Sequence, residues 1–316
     1  MNKLTRKLVL VTAAMTLGVT AYAAEFITVL TGGTSGVYYP MGVAITQIYG
    51  KTIPDAKSSV QATKASAENL NLLQAGRGEI AFTLGDALGD AWKGDAEAGF
   101  KTPLNKLRTI AGIYPNYIQI IASADSGIKT LADLKGKRVA VGAPKSGTEL
   151  NARAIFKAAG MSFSDFAKTE YLPFGESVEL MKNRQLDATL ISAGLGVAAV
   201  RDLATAIKLV MVPVPADVVA KIGEAAYQPA IVPANTYGGQ TADVPTVAIK
   251  NFLVSHQGVS NELAYKMTKS LFDNLADLHA AHAAAKVITR EGAPLNSPAP
   301  LHPGAEKYYK EVGLLK

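Results

Sequence analysis

The chain has 316 residues, 48% of them apolar, and no cysteine. That length supports about two domains and a core large enough to stand without disulfides. The formal charge of +6 includes Lys3, Arg6 and Lys7, which lie in a segment expected to be removed, so the mature charge is 6 − 3 = +3. With no Lys/Arg block beside it, that balance excludes nucleic acid as a partner.

The N-terminus reads as an export signal over residues 1–23. Lys3, Arg6 and Lys7 form a basic n-region, residues 8–19 an apolar stretch too short to span a bilayer, and Ala21-Tyr22-Ala23 a small-x-small cleavage pattern. No cysteine follows to carry a lipid. The expected compartment is the periplasm of a bacterium with two membranes.

Strand and helix patterns then alternate. Residues 26–30 are β-branched and apolar, hence a strand. Gly32-Gly33-Thr34-Ser35-Gly36 is a turn, and residues 37–49 carry helical periodicity through Val37, Met41, Ile45 and Ile48. Residues 58–63 read as a strand, 66–74 as a helix and 79–84 as a strand. Residues 107–122 are β-rich, with Pro115 expected to break them. A short helix at 131–134 and a strand at 138–141 precede the turn Gly142 to Thr148 and a helix at 149–159. A helix at 176–184 and a strand at 188–192 follow. Residues 262–286 read as one long amphipathic helix region. Alternation of this kind predicts an α/β protein with parallel-rich sheets covered by helices.

Two strand–glycine turn–helix units suggest two lobes facing across a ligand cleft. Residues 110–122 and 231–247 are the expected crossings. The lobes are then 24–113 plus 235–316, and 114–234.

Those turns are the best candidate sites. Glycine admits close approach of backbone N–H groups, and a helix start carries partial positive charge. In the first turn Gly33, Thr34, Ser35 and Tyr38 offer donors for an anion. In the second, Ser146, Gly147 and Thr148 repeat the device, although Ser146-x-x-Glu149 also has capping-box spacing. Lys64 and Ser66 follow a strand at its carboxyl end, where open α/β sheets bind ligands. Asp86 holds an equivalent place and could pair with Lys64 or meet a ligand amine. Catalytic sets are poor. His279-x-x-His282 has ligand-like spacing but no third ligand, and reads as a solvated helix face. There is no Gly-x-Ser-x-Gly elbow and no cysteine nucleophile. Tyr308 and Tyr309 read as packing residues. No enzyme activity, cofactor or metal is expected.

The chain resembles the TAXI-type solute-binding proteins of tripartite, ATP-independent (TRAP) transporters. The likeness is carried by residues 31–42 (Thr-Gly-Gly-Thr-Ser-Gly-Val-Tyr-Tyr-Pro-Met-Gly), by 61–63 with 66–70, by 142–144 with 146–148, by 231–237 and by 301–309. It implies a two-lobed periplasmic-binding fold, type II-like. It also implies delivery of a small carboxylate to TRAP membrane subunits, ligand contacts in the first two blocks and the Ser-Gly-Thr turn, and a monomer. Two departures matter: Lys64 stands where glycine is frequent, and Asn116 where an acid is common. A gained cation and a lost acid favour a dicarboxylate or 2-oxo acid such as 2-oxoglutarate. Glutamate or glutamine, with Asp86 meeting the ammonium, is the alternative, as is a ligand-sensing subunit of a signalling system. The expected ligand set is Gly33, Thr34, Ser35, Tyr38, Lys64, Ser66, Asp86, Asn116, Ser146, Gly147 and Thr148.

Overall fold

A computed structural model describes residues 25–316, so the expected export signal lies outside the described residues. The first half alternates β1 (Glu25–Leu30), α1 (Tyr38–Thr52), β2 (Ala56–Gln61), α2 (Ser66–Gln74), β3 (Ile80–Leu84) and α3 (Gly85–Lys93). The long strand β4 (Leu107–Ser123) leads to β5 (Arg138–Ala140), α4 (Gly147–Ala158), β6 (Lys168–Glu170), α5 (Phe174–Lys182) and β7 (Ala188–Ala193). Next come α6 (Ala198–Ala206), β8 (Leu209–Val212), α7 (Ala216–Ile222), β9 (Gln228–Val232) and a second long strand, β10 (Val244–His256). The chain closes with α8 (Asn261–Asp273), α9 (Leu275–Ala281) and α10 (Pro303–Glu311).

The strands form one mixed sheet in the order β2-β1-β3-β10-β4-β7-β5-β6, with β8 added to β4 and β9 to β10. The outer wings are parallel: β1 with β2 and β3, and β5 with β6 and β7. Every antiparallel pair involves β4 or β10. The parallel wings therefore match the alternating sequence, and the two long strands join them. β2 lies at the edge and alternates half-buried with exposed residues, as one covered face requires. β3 and β7 lie inside and are buried throughout. α1 buries Met41, Ala44, Ile45, Ile48 and Tyr49, the apolar stripe its spacing predicts.

Pro115 does not break β4, contrary to the sequence expectation. It sits opposite Lys250, beside the register shift between Lys250 and Phe252 of β10. A bulge already interrupts the ladder there, so the missing proline N–H costs little. The C-terminal helix region is also divided. α8 ends at Asn274, α9 ends before His282, and a 3-10 turn spans Ala283–Val287. His279 and His282 are half-buried and bonded to backbone, His282 Nδ1 accepting from Ala284 N–H, so they do not form a solvated face.

Two apolar clusters pack on the sheet. One gathers α1, α8 and α10 with Tyr308 and Tyr309, and the other gathers residues of α2, α3, α4 and α7. The Tyr309 hydroxyl donates to the Ile110 carbonyl at 2.9 Å. α10 lies hard against α8, and a Cβ on Gly304 would fall 2.2 Å from the Asn261 carbonyl oxygen. That contact is with backbone and cannot swing aside. Gly304→Ala is expected to cost about 2–3 kcal/mol as an overpacked core position. Thermal denaturation should show a melting temperature lower by several degrees, and an unchanged value would refute the tight crossing.

Candidate functional site

Four helices begin on one cavity of about 110 Å³. α1 contributes the approach Gly32–Gly33 and then Gly36–Tyr38, α2 contributes Ala65 and Ser66, α4 Ser146–Thr148, and α5 Pro173 and Phe174. Strand residues Tyr114 and Asn116 of β4, with Ser192 and Ala193 of β7, close the remaining side. The two predicted glycine turns thus meet at one space, one from each wing of the sheet.

The helix starts are poorly capped. α1, α2 and α5 begin at Val37, Ala65 and Pro173 with no side-chain cap. Their first-turn N–H groups carry the positive end of the helix dipole, and the cavity is where a partner would sit. α4 differs, because Ser146 Oγ accepts from Glu149 N–H at 3.1 Å. The capping role foreseen for Ser146 is therefore present, alongside its place in the cavity wall. Ala65 holds φ +70° and ψ −146°, a conformation that favours glycine, so strain is stored at the site.

The wings are in close contact around this space. A Cβ on Gly147 would fall 2.5 Å from Leu84 Cδ1 and 2.6 Å from Ser66 Oγ, so only glycine lets α4 approach α2 and β3 this closely. Glu68 N–H donates to the Lys145 carbonyl at 3.2 Å, and Ala199 N–H to the Ser35 carbonyl at 3.3 Å.

Behind the strand side lies a buried polar chain. Tyr38 Oη donates to Asn251 Oδ1 at 2.5 Å. Asn251 Nδ2 donates to the Tyr114 carbonyl at 2.9 Å and to Asn116 Oδ1 at 2.8 Å. Asn116 Nδ2 donates to the Ser192 carbonyl at 2.8 Å. Both ends of the Asn116 amide are thus engaged by protein. The Tyr38 ring stacks on Phe82, and burial pushes its phenol well above the usual range, keeping it protonated.

Of the residues singled out from sequence, Gly33, Tyr38, Lys64, Ser66, Asn116, Ser146, Gly147 and Thr148 line the cavity. Thr34, Ser35 and Asp86 do not. Thr34 is exposed, and Ser35 packs toward α5 and α6. Sequence reasoning missed Tyr114, Ser192 and Phe174. Nothing in their spacing marks them, since their access to the cavity depends on strand register and on α5 arriving from the other wing. Lys64 is the one charged residue in the wall. It is exposed, and its backbone N–H donates to Glu68 Oε2 at 2.5 Å. Among the described residues no group of three or more His, Asp or Glu is placed to hold a metal ion.

Asp86 belongs to a separate clasp. Asn151 Nδ2 of α4 and the Tyr227 hydroxyl each donate to its Oδ2 at 2.6 Å, joining α3 to the opposite wing. Its Oδ1 and Asn151 Oδ1 have no partner. Burial raises the Asp86 carboxyl from 3.8 to about 6, the Tyr227 bond opposing and Glu224 reinforcing the shift. Asp90 close by is raised to about 7, first by burial and then by Asp86.

The fold is that of periplasmic binding proteins, and its one described cavity with convergent helix starts is lined from both wings of the sheet. The chain belongs to the NMT1-like family, whose model matches residues 29–313. It is similar in fold to a solved periplasmic transporter, with TM-score 0.56 and 12% identity over 92% of this chain and 94% of that one. A putative L-cystine ABC transporter from Listeria monocytogenes gives TM-score 0.51 and 16% identity over 82% and 94% of the two chains. A Streptococcus mutans structure from work on glutathione import via GshT and the cystine ABC importer TcyBC gives TM-score 0.51 and 12% identity over 90% and 100%.

These matches correct the TAXI/TRAP resemblance: the family is NMT1-like, and the named transport neighbours are of ABC type. The physical reason lies in what the quoted blocks are. Four of the five are the approaches to, or first turns of, α1, α2, α4 and α10. They report how this fold shapes its helix starts, and carry no mark of the membrane partner.

The Asp86 clasp has a pH signature. The folded state releases its proton near 6 and the unfolded chain near 3.8, so between those values the folded state binds more protons. This carboxylate therefore costs stability at neutral pH, on the order of a few kcal/mol at about 1.4 kcal/mol per unit, and the cost disappears as pH falls through that window. Asp86→Asn should melt higher than the unaltered protein at pH 7.5, and the gap should close toward pH 4.5. A gap that stays constant across that range would remove Asp86 as its source.

Proposed function

We propose that the protein is a periplasmic solute-binding protein that captures a small organic anion lacking an ammonium group and presents it to a membrane importer of the ABC type. The class of anion favoured is a dicarboxylate or 2-oxo acid, of which 2-oxoglutarate is the test compound. The lobes are residues 24–113 plus 235–316, and 114–234, closing about the two long strands.

The observation that carries this reading is the convergence of four helix starts, three without side-chain caps, on a wall whose one charge is Lys64. Helix-start N–H groups and a lysine suit negative charge. No acidic side chain lines the cavity to balance an amine. Asp86, the candidate partner for a glutamate ammonium, is committed to Asn151 and Tyr227. An amino acid is therefore the weaker fit. The expectation of an ABC partner rests on the neighbours from Listeria and Streptococcus, which are described with ABC systems. For the described residues, no helix is long and apolar enough to cross a membrane.

Closure supplies the affinity. Donors from one wing meet the anion first, and donors from the other complete the shell as water leaves, which strengthens each charge-assisted bond. Calorimetry with 2-oxoglutarate, succinate, pyruvate and glutamate tests the reading. The oxo and dicarboxylic acids should bind more tightly than glutamate, and binding restricted to amino acids or sugars would overturn it. Lys64→Ala should weaken the acids about tenfold, a modest loss because the side chain is exposed before the ligand arrives. Unchanged affinity for every acid would take Lys64 out of the site.

A further inference from the structure

Two hydroxyls in the cavity wall lack any protein partner. Tyr114 and Ser192 line the cavity, are 1% and 5% exposed, and neither Tyr114 Oη nor Ser192 Oγ makes a hydrogen bond. Buried polar groups are seldom left unpaired, because each unmet group costs the desolvation it suffered on folding. Other polar groups along this side of the wall are engaged. Tyr38 donates to Asn251, both ends of Asn116 are used, and the Ser192 carbonyl accepts from Asn116. The two orphans are thus what remains on the strand-built side of a space otherwise ringed by helix starts.

We infer that Tyr114 and Ser192 are specificity-determining residues that hold the end of the ligand facing the strands, and that this end carries an acceptor oxygen, a carboxylate or keto group. The inference rests on the anion-binding reading given above and deepens it. The helix starts take one carboxylate, and the two hydroxyls take the second polar end. Burial holds the Tyr114 phenol well above its ordinary range, so it stays a neutral O–H donor. Ser192 Oγ is likewise an unpartnered neutral hydroxyl that can turn its proton to an acceptor. Neither group carries a charge that could neutralise an ammonium, so this side also selects against an amine in that place.

The test removes each hydroxyl without changing shape. Tyr114→Phe and Ser192→Ala are compared with the unaltered protein by calorimetry with 2-oxoglutarate, succinate and pyruvate, and by melting without ligand. Each variant should bind 2-oxoglutarate and succinate about tenfold more weakly, the worth of one buried hydrogen bond to a charged or keto oxygen. Pyruvate, whose single carboxylate belongs at the helix starts, should lose less. Ligand-free melting should be unchanged or higher, since the deleted hydroxyl bonds nothing in the protein. Unaltered affinity for both longer acids would overturn the inference while leaving the anion-binding reading intact. A ligand-free melting temperature lowered by several degrees in both variants would also overturn it, by showing a structural role. If the unaltered protein binds none of the three acids, the anion reading fails and this inference fails with it.

Discussion

The structure depends on how Asn251 is held at the crossing of two strands. β4 and β10 are the strands that run through both wings, and β10 changes register beside Asn251. A register shift leaves strand backbone without its regular partners. Here the Asn251 side chain binds the Tyr114 carbonyl and the Asn116 amide on β4 and receives the Tyr38 hydroxyl from α1. One buried amide therefore fixes the register of the crossing, the first helix start and, through Asn116, the carbonyl of Ser192 on β7. Such fully satisfied buried networks specify a single arrangement, because any shift strands several polar groups at once. The cavity wall inherits its precision from this chain.

Electrostatics then follow from geometry rather than from charged residues. A helix start offers about half a positive charge and several N–H donors without the desolvation penalty that a buried lysine or arginine would suffer. Four such starts around a small space build a positive environment from backbone alone. Three of them carry no side-chain cap, although in α2 the Glu68 N–H is taken by the Lys145 carbonyl. Lys64 adds a positive charge to the wall at an exposed position, where it stays hydrated.

The sequence revealed what is local. Helix α2 was legible to the residue, and the turns before α1 and α4 were legible as candidate sites, because glycine, hydroxyl residues and apolar periodicity act within a few positions. The crossing strands were legible only in part. Residues 107–122 read as β-rich, but β10 does not read as one 13-residue strand, since Lys250 and Asn251 interrupt its apolar pattern and the bulge that accommodates them is a tertiary fact. Pro115 misled for the same reason. The C-terminal helices misled differently: continuous alanine-rich periodicity hid the breaks at Asn274 and His282. Asp86 reads from sequence as a partner for Lys64 or for a ligand amine, whereas the structure bonds it to Asn151 and Tyr227. Its partners, Asn151 and Tyr227, lie 65 and 141 positions away, beyond any spacing argument. Tyr114 and Ser192 gave no signal at all, because an unmet hydroxyl is visible only once every neighbour is known.

The clasp and the cavity bear on one another through the contact between the wings. Asp86 is held by two groups of the opposite wing, yet two oxygens in the clasp stay unpartnered. Contact there is thus imperfect at neutral pH, and burial of a carboxylate opposes it. The tight approach of Gly147 to Ser66 and Leu84 contributes van der Waals contact on the other side of the balance. On the function proposed above, this standing cost would keep an empty closed form from dominating, and the bound anion would supply the difference that favours closure.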